Sequence, residues 1–434
     1  MKRDIYSNLL EWKRSSRRKP LILQGARQVG KTYILKEFGK NEYSDIAYFN
    51  FEEDTTLSDF FKGKLSPKDI IRKLSIYLEK DILPEKTLII FDEIQNSPAT
   101  LTSLKYFCED ANQYHIVTAG SLLGIKVGQS APFPVGKVNF LNLYPLSFCE
   151  YLDGIGKSRL CQFLKNIKIL EPIEEGFHTE LVEALKMYYF IGGMPEAIVQ
   201  YKKDRDLKEV RIVQDEILRA YTMDFSKHTT KPEAIKILST WDSIPGQLAK
   251  ENKKFKFSEI SKNARARDYG ESIQWLVDAG LVYQCFKIKT PKMPLSGYRE
   301  DNIFKLYLLD TGLLGALLEL SPKTIVKGNE LFSEYNGAFT ENYVAQELIA
   351  NDNRELYYWS SGNKAEVDFL MPFEEKIFPL EVKAGISTKK KSLKIYGEKY
   401  NIPVLSRTTL RNFKQDGRIC NYPLYAIFSF CYQH

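Results

Sequence analysis

Along the first third of the chain, short apolar runs alternate with stretches of helical period. The runs Leu21–Leu23, Ile46–Asn50, Leu88–Phe91, Tyr114–Thr118 and Val138–Leu143 have the length and bounds of buried strands. Helical stretches, beginning with Tyr6–Arg14, precede and separate them. Strands that alternate with helices close into a parallel sheet with crossovers, so an α/β core is expected over residues 1–155. The period turns helical over 156–240, broken by the turn Gly192-Gly193-Met194-Pro195, which suggests a lid or connector. Over 241–330 short helices lead into a strand pair. Residues 268–279 put Tyr269, Ile273, Leu276 and Val277 on one helical face, Gly280 can end that helix, and Leu281–Ile288 reads as a strand. This is the outline of a winged helix-turn-helix. A fourth unit, 331–434, opens with a helix over Phe339–Ala350, followed by strands over Glu355–Trp359, Ala365–Met371 and Ile377–Lys383, enough for a small α/β core.

Composition narrows the class. A chain of 434 residues that is 44% hydrophobic and 27% charged is expected to fold, into more than one core. No run of eighteen apolar residues occurs, and Met1-Lys2-Arg3-Asp4 lacks the apolar stretch of a secretory leader, so a cytoplasmic protein with no membrane partner is expected. Six scattered cysteines and four histidines offer neither a zinc spacing nor a disulfide framework. The net charge of +7 is modest, but residues 246–300 hold eleven Lys/Arg against six Asp/Glu. Lys250, Lys253, Lys254, Lys256, Lys262, Arg265 and Arg267 lie just before or at the start of the second candidate helix of the winged unit. There they are placed either to meet nucleic-acid phosphates or to form a solvated basic face.

Two groups of residues carry candidate chemistry. Gly25-Ala26-Arg27-Gln28-Val29-Gly30-Lys31-Thr32 fits the phosphate-loop spacing between a strand and a helix. The backbone of Gly25, Arg27, Gln28, Val29 and Gly30 would face ATP phosphates, Lys31 would reach the β and γ oxygens, and Thr32 would ligate Mg²⁺. The apolar run Leu88–Phe91 ends in Asp92 and Glu93, at the sheet edge where open α/β sheets bind ligands. Asp92 would then hold Mg²⁺ through water and Glu93 would orient or deprotonate the attacking water, although two acids after a strand could also form a solvated turn. Thr118 or Ser121 could sense the γ-phosphate, although Ser121 could equally cap a helix.

The second group lies near the C-terminus. Strand parity puts Glu366 and Asp368 on one face, and Glu381 and Lys383 on one face of the following strand. A hairpin would gather Asp368, Glu381 and Lys383, with Glu341 reaching in from a helix. Such carboxylates could hold Mg²⁺ beside a lysine, or could be the wet face of an amphipathic hairpin.

GARQVGKT, LIIFDEIQ, TAGSLLG, NLYPLSFCEYL, YYFIGGMPEAI, WLVDAGLV, FKLYLLDTGLL, FTENYVAQEL and EVDFL with PLEVKAG occur in order along the chain. In these segments it resembles bacterial and archaeal AAA-type ATPases that carry a DUF4143 domain, whose end is similar to a PD-(D/E)XK nuclease. The resemblance implies a P-loop NTPase core of the AAA/RecA-like type, a helical lid, a winged helix and a restriction-endonuclease-like α/β domain. It also implies Mg²⁺-dependent ATP hydrolysis through Lys31, Thr32, Asp92 and Glu93, and a metal site at Glu341, Asp368 and Glu381 with Lys383. The chain departs from the family at Lys137, where an arginine is usual; lysine lacks the planar fork that clamps phosphate oxygens.

Two function classes follow: an ATPase acting with double-stranded DNA, whose last domain cuts or merely holds it, and an ATP-regulated switch that binds a protein partner or further copies of itself. A phosphate-contacting surface must weaken with salt, which separates the two.

Overall fold

The computed structural model describes residues 1–63, 65–120, 133–167, 170–227, 229–250, 253–323, 330–352, 355–362, 365–385 and 391–432. Contacts divide the chain into a unit built on residues 2–144 and a unit built on most of 145–434.

The first unit holds the strands β1 (Leu21–Gln24), β2 (Asp45–Asn50), β3 (Thr87–Asp92), β4 (His115–Ala119) and β5 (Asn139–Asn142), in the order β2-β3-β4-β1-β5. Every neighbouring pair is parallel. The carboxyl ends of the strands therefore share one edge, which carries Gln24, Asn50 and Asp92. All six residues of β3 are buried, as a strand covered on both faces requires. Phe91 packs between Phe49, Phe51 and Phe61 at ring-centroid separations of 5.7–5.9 Å. Burial of one such ring contributes ~1.5–3 kcal/mol. After the loop that follows β1, the helix Lys31–Glu42 buries Ile34, Leu35 and Phe38 on one face.

The second unit contains two sheets. The strands β6 (Val282–Ile288), β7 (Arg299–Leu308), β8 (Leu356–Ser360) and β9 (Glu366–Val367) run in the order β7-β6-β8-β9. The strands β10 (Phe369–Phe373), β11 (Lys376–Val382), β12 (Leu405–Thr409), β13 (Lys414–Asp416) and β14 (Ile419–Pro423) run in the order β10-β11-β12-β14-β13. The expected helix and strand pair appear as the helix Ala266–Asp278 and the antiparallel pair β6 and β7. One sheet crosses the boundary expected at residue 330, because β6 also pairs in parallel with β8. A strand of the winged-helix outline thus belongs to the same sheet as the first strand of the C-terminal segment.

A buried polar joint holds this unit's helices. Asp310 caps the helix Thr311–Leu317 by accepting from Leu313 N–H, and it also accepts from the Gly193 N–H at 2.5 Å. Gly192 takes φ +74°, and a Cβ there would meet the Asp310 carboxylate at 2.2 Å, so only glycine fits. Gln214 donates to Phe190 O and Ile191 O, and Gln346 to the Tyr188 hydroxyl. The turn at 192–195 is therefore fixed by side chains far away in sequence.

Candidate nucleotide site and carboxylate cluster

At the edge of the first sheet the chain leaves β1 through Gly25, where a Cβ would lie 2.3 Å from Leu143 O. No side chain fits there, since the neighbour is backbone tied to Gln24 O by the Leu143 N–H at 2.7 Å. Gln28 takes a left-handed φ of 63°, and Gly30 precedes the first helical turn. Val29 is buried and Gln28 exposed. Lys31, 8% exposed, donates to Gly25 O at 3.1 Å and Ala26 O at 2.8 Å. Burial drives its pKa down to about 8, against the opposing pull of Glu93 and Asp92. An ammonium that donates to neutral carbonyls at a helix start is matched to an anion.

Thr32 Oγ1 donates to Asp92 Oδ2 at 2.7 Å, and the Tyr48 hydroxyl donates to the same oxygen at 2.8 Å. The residue after β3, Glu93, sits in the left-handed region at φ 50°, an uncommon geometry that turns its side chain off the strand path. Gln95 Nε2 donates to Glu93 Oε2. Thr32 and Asp92 thus place a hydroxyl and a carboxylate side by side, hard oxygen donors that fit Mg²⁺. Thr118 is fully buried on β4 with no hydrogen-bond partner for Oγ1 among the described residues. Ser121 lies outside the described residues. Lys137 pairs with Glu109 at 2.8 Å, with both side chains partly exposed.

The C-terminal carboxylates meet as parity demands. Phe369 faces Leu380 across β10 and β11, which sets Asp368 beside Glu381. Asp368 Oδ2 accepts from the Val382 N–H at 2.8 Å, and Lys383 pairs with Glu381 at 2.9 Å. Sequence reasoning missed the cations between them. Lys305 on β7, 1% exposed, stands 2.6 Å from Glu366 Oε1, 3.4 Å from Glu341 Oε2 and 3.9 Å from Asp368 Oδ1. Lys253 takes the other Glu341 oxygen at 2.5 Å, and the Tyr307 hydroxyl donates to Glu341 Oε2 at 3.1 Å. Burial opposes the charge on Glu341, but Lys253 and Lys305 hold its pKa down. Burial and the neighbouring Glu341 raise that of Asp368 to about 7, against the pull of Lys305.

Among the described residues no three carboxylates, histidines or cysteines are arranged to hold a metal. Lysine ammonium groups engage both oxygens of Glu341 and one of Glu381, while Asp368 accepts from the Val382 N–H and stands 3.9 Å from Lys305. The signal in the sequence was Lys305 itself, a charge in the middle of the apolar run Phe304–Leu309.

The basic cluster divides. Lys253 turns inward to Glu341 and Lys250 pairs with Glu259 at 2.5 Å, whereas Lys256, Lys262, Arg265 and Arg267 are exposed. No helix among the described residues is long and apolar enough to cross a membrane.

Comparison with known proteins adds three matched segments: the AAA domain over residues 17–152, a domain of unknown function, DUF8612, over 182–324, and a domain of unknown function, DUF4143, over 336–427. Uncharacterized proteins of Mycobacterium bovis and Mycobacterium tuberculosis are each 31% identical over 109 residues, 25% of this chain and 23% of theirs. The match thus spans about a quarter of the length of these curated relatives. Among solved structures, the Walker-type ATPase of Pyrococcus abyssi is similar at 15% identity and TM-score 0.45, over 73% of this chain and 95% of that one. The Aeropyrum pernix Orc1 protein, in a complex with DNA, is similar at 15% identity and TM-score 0.30, over 73% and 90%. The AAA match supports ATP binding and, in general terms, ATP hydrolysis. The chain therefore contains an AAA-type P-loop ATPase domain and a DUF4143 domain.

Proposed function

We propose that the first unit binds ATP with Mg²⁺ and hydrolyses it, and that the second unit uses the nucleotide state to govern contact with double-stranded DNA. The observation that carries the ATPase reading is the Thr32–Asp92 contact of 2.7 Å beside the buried ammonium of Lys31. In this reading Lys31 and the loop backbone from Gly25 to Gly30 hold the phosphates. Thr32 and Asp92 hold Mg²⁺, which supplies charge neutralisation at the phosphoryl oxygens. Glu93, steadied by Gln95, orients the attacking water or accepts its proton. Calorimetry and phosphate release test the assignment. Lys31→Ala is expected to abolish tight ATP binding, and Glu93→Gln to bind ATP without turnover. Unchanged ATP affinity in K31A would refute the site.

The DNA reading is motivated by the exposure of Lys256, Lys262, Arg265 and Arg267 around the start of the helix Ala266–Asp278. A second reading, an ATP-regulated protein-interaction switch with an inactive nuclease-like scaffold, is favoured by Lys253 and Lys305 among the carboxylates. Nicking assays with Mg²⁺ or Mn²⁺ on wild type and Asp368→Ala separate them. Metal-dependent nicking that D368A loses would establish a working nuclease.

A further inference from the structure

The carboxylate cluster accounts for nearly all of its own charge. Glu341, Glu366, Asp368 and Glu381 face Lys253, Lys305 and Lys383, and every one of these side chains belongs to the second unit. Both Glu341 oxygens are engaged, one by Lys253 and the other by Lys305 and Tyr307. Asp368 gives one oxygen to the Val382 N–H and turns the other toward Lys305. Lys383 takes one oxygen of Glu381, leaving Oε2 as the one carboxylate oxygen of the four that is buried without a hydrogen-bond partner.

A divalent ion such as Mg²⁺ needs about six oxygens at ~2.1 Å, and here both oxygens of Glu341 and one each of Glu366, Asp368 and Glu381 are committed to ammonium, hydroxyl or amide donors. It would also have to settle within a few ångströms of Lys305, which has no route to solvent at 1% exposure. Lys305 is flanked by the Tyr358 ring, whose centroid is 4.9 Å from Nζ, so an aromatic face as well as the carboxylates favours a cation at that point.

We infer that Lys305 is the resident cation of this cluster. Its ammonium stands among Glu341, Glu366 and Asp368 where a divalent ion would otherwise be needed, and Lys253 completes the compensation at Glu341. The C-terminal unit is consequently a metal-independent, lysine-locked scaffold, and removal of Lys305 should turn it into a divalent-cation site. The inference does not rest on ATP hydrolysis, and phosphate release measured on the same variants keeps the two claims separate.

The test uses the full chain without nucleotide, with Mn²⁺ as the probe, followed by electron paramagnetic resonance. In wild type, Asp368→Asn should leave the number and affinity of Mn²⁺ sites unchanged; any ion at the phosphate loop survives D368N and is thereby distinguished. Lys305→Met should gain one Mn²⁺ site, tighter than anything D368N affects in wild type by at least about tenfold, and K305M/D368N should lose it. Lys305→Arg, which keeps the charge, should gain none. K305M exposes buried carboxylates to one another, so a variant that does not fold without metal is one expected outcome. In that event Mn²⁺ should restore its cooperative melting while K305R melts independently of metal. Three results would overturn the inference: a wild-type Mn²⁺ site lost in D368N, a folded K305M with no added site, or a K305M that stays unfolded at every Mn²⁺ concentration.

Discussion

Two buried lysines set the two ends of this molecule apart. Among the described residues Lys31, at the start of a helix, donates to the carbonyl oxygens of Gly25 and Ala26, and burial lowers its pKa to about 8. Lys305, inside a strand, is buried even more completely, yet Glu341, Glu366 and Asp368, together with Tyr307, outweigh desolvation and raise its pKa well above the usual value. Desolvation penalises the ammonium at both positions. What differs is how much opposite charge the protein itself brings up: Glu93 and Asp92 only partly offset burial at Lys31, whereas carboxylates in contact outweigh it at Lys305. A lysine left wanting an anion marks a place for a ligand; a lysine already surrounded by carboxylates marks a place that is filled.

The sharpest way to break this comparison is to make the same change at both positions. Lys305→Met strands buried carboxylates and should destabilise the second unit by about 3–5 kcal/mol, read by urea denaturation. Lys31→Met removes an ammonium with no anionic partner in contact, so it should leave nucleotide-free stability equal or higher while eliminating ATP binding. Equal destabilisation by the two changes would erase the distinction.

Gly25→Ala comes next. Its Cβ would press on Leu143 O, which cannot yield without straining the Leu143 N–H bond to Gln24 O, and a cost of about 1–3 kcal/mol with loss of ATP binding is expected. Thermal melting with and without ATP measures both.

A third effect appears with pH. Asp310 is buried and its pKa rises from 3.8 to about 6, burial outweighing the amide donors of Gly193, Leu313 and Gly312. Because the folded state holds this proton more tightly than the unfolded chain, the associated stability is fully present below pH 3.8. It is lost as pH rises through about 6, roughly 3 kcal/mol in all. Asp310→Asn should flatten the stability profile between those values. At the other end, ATP affinity should fall as pH climbs through about 8, where nucleotide-free Lys31 gives up its proton. The Lys31→Arg variant, charged throughout, should not show that fall.

The smallest effect concerns the exposed bases. Reversal of Lys262, Arg265 and Arg267 should weaken duplex binding and reduce the slope of log affinity against log salt by up to about 3. Unaltered affinity and slope in a folded variant would favour the protein-binding switch.

How much of this was readable beforehand depends on how local the determinant is. The phosphate loop and the Asp92 strand end were legible because spacing along one strand and one loop defines them, and the parallel sheet follows from the alternation of runs. Strand parity likewise put Asp368 near Glu381. Lys305 was passed over because the segment Phe304–Leu309 reads as ordinary core, and nothing local says that Glu341, some 36 residues onward, and Glu366, 61 onward, will converge on it. The sheet that crosses residue 330 was hidden for a similar reason: the pairing of β6 with β8 joins segments that no local pattern connects. Asp310 escaped notice as well, since a carboxylate after a strand looks like a cap until its second partner, Gly193, is known.

That second partner gives the joint a consequence for inheritance. Gly192 is tight because Asp310 stands against it, and Asp310 has the Gly193 amide to accept because the turn brings it there. A chain that exchanges Asp310 for a smaller neutral residue frees space at 192, keeps the φ of +74° that still favours glycine, and loses the carboxylate that accepts from the Gly193 amide. A chain that first fills position 192 drives the carboxylate off its helix cap. Either change alone costs stability, so descendants of this sequence should keep the glycine turn and the aspartate together or lose them together, although Gly192 and Asp310 stand 118 positions apart.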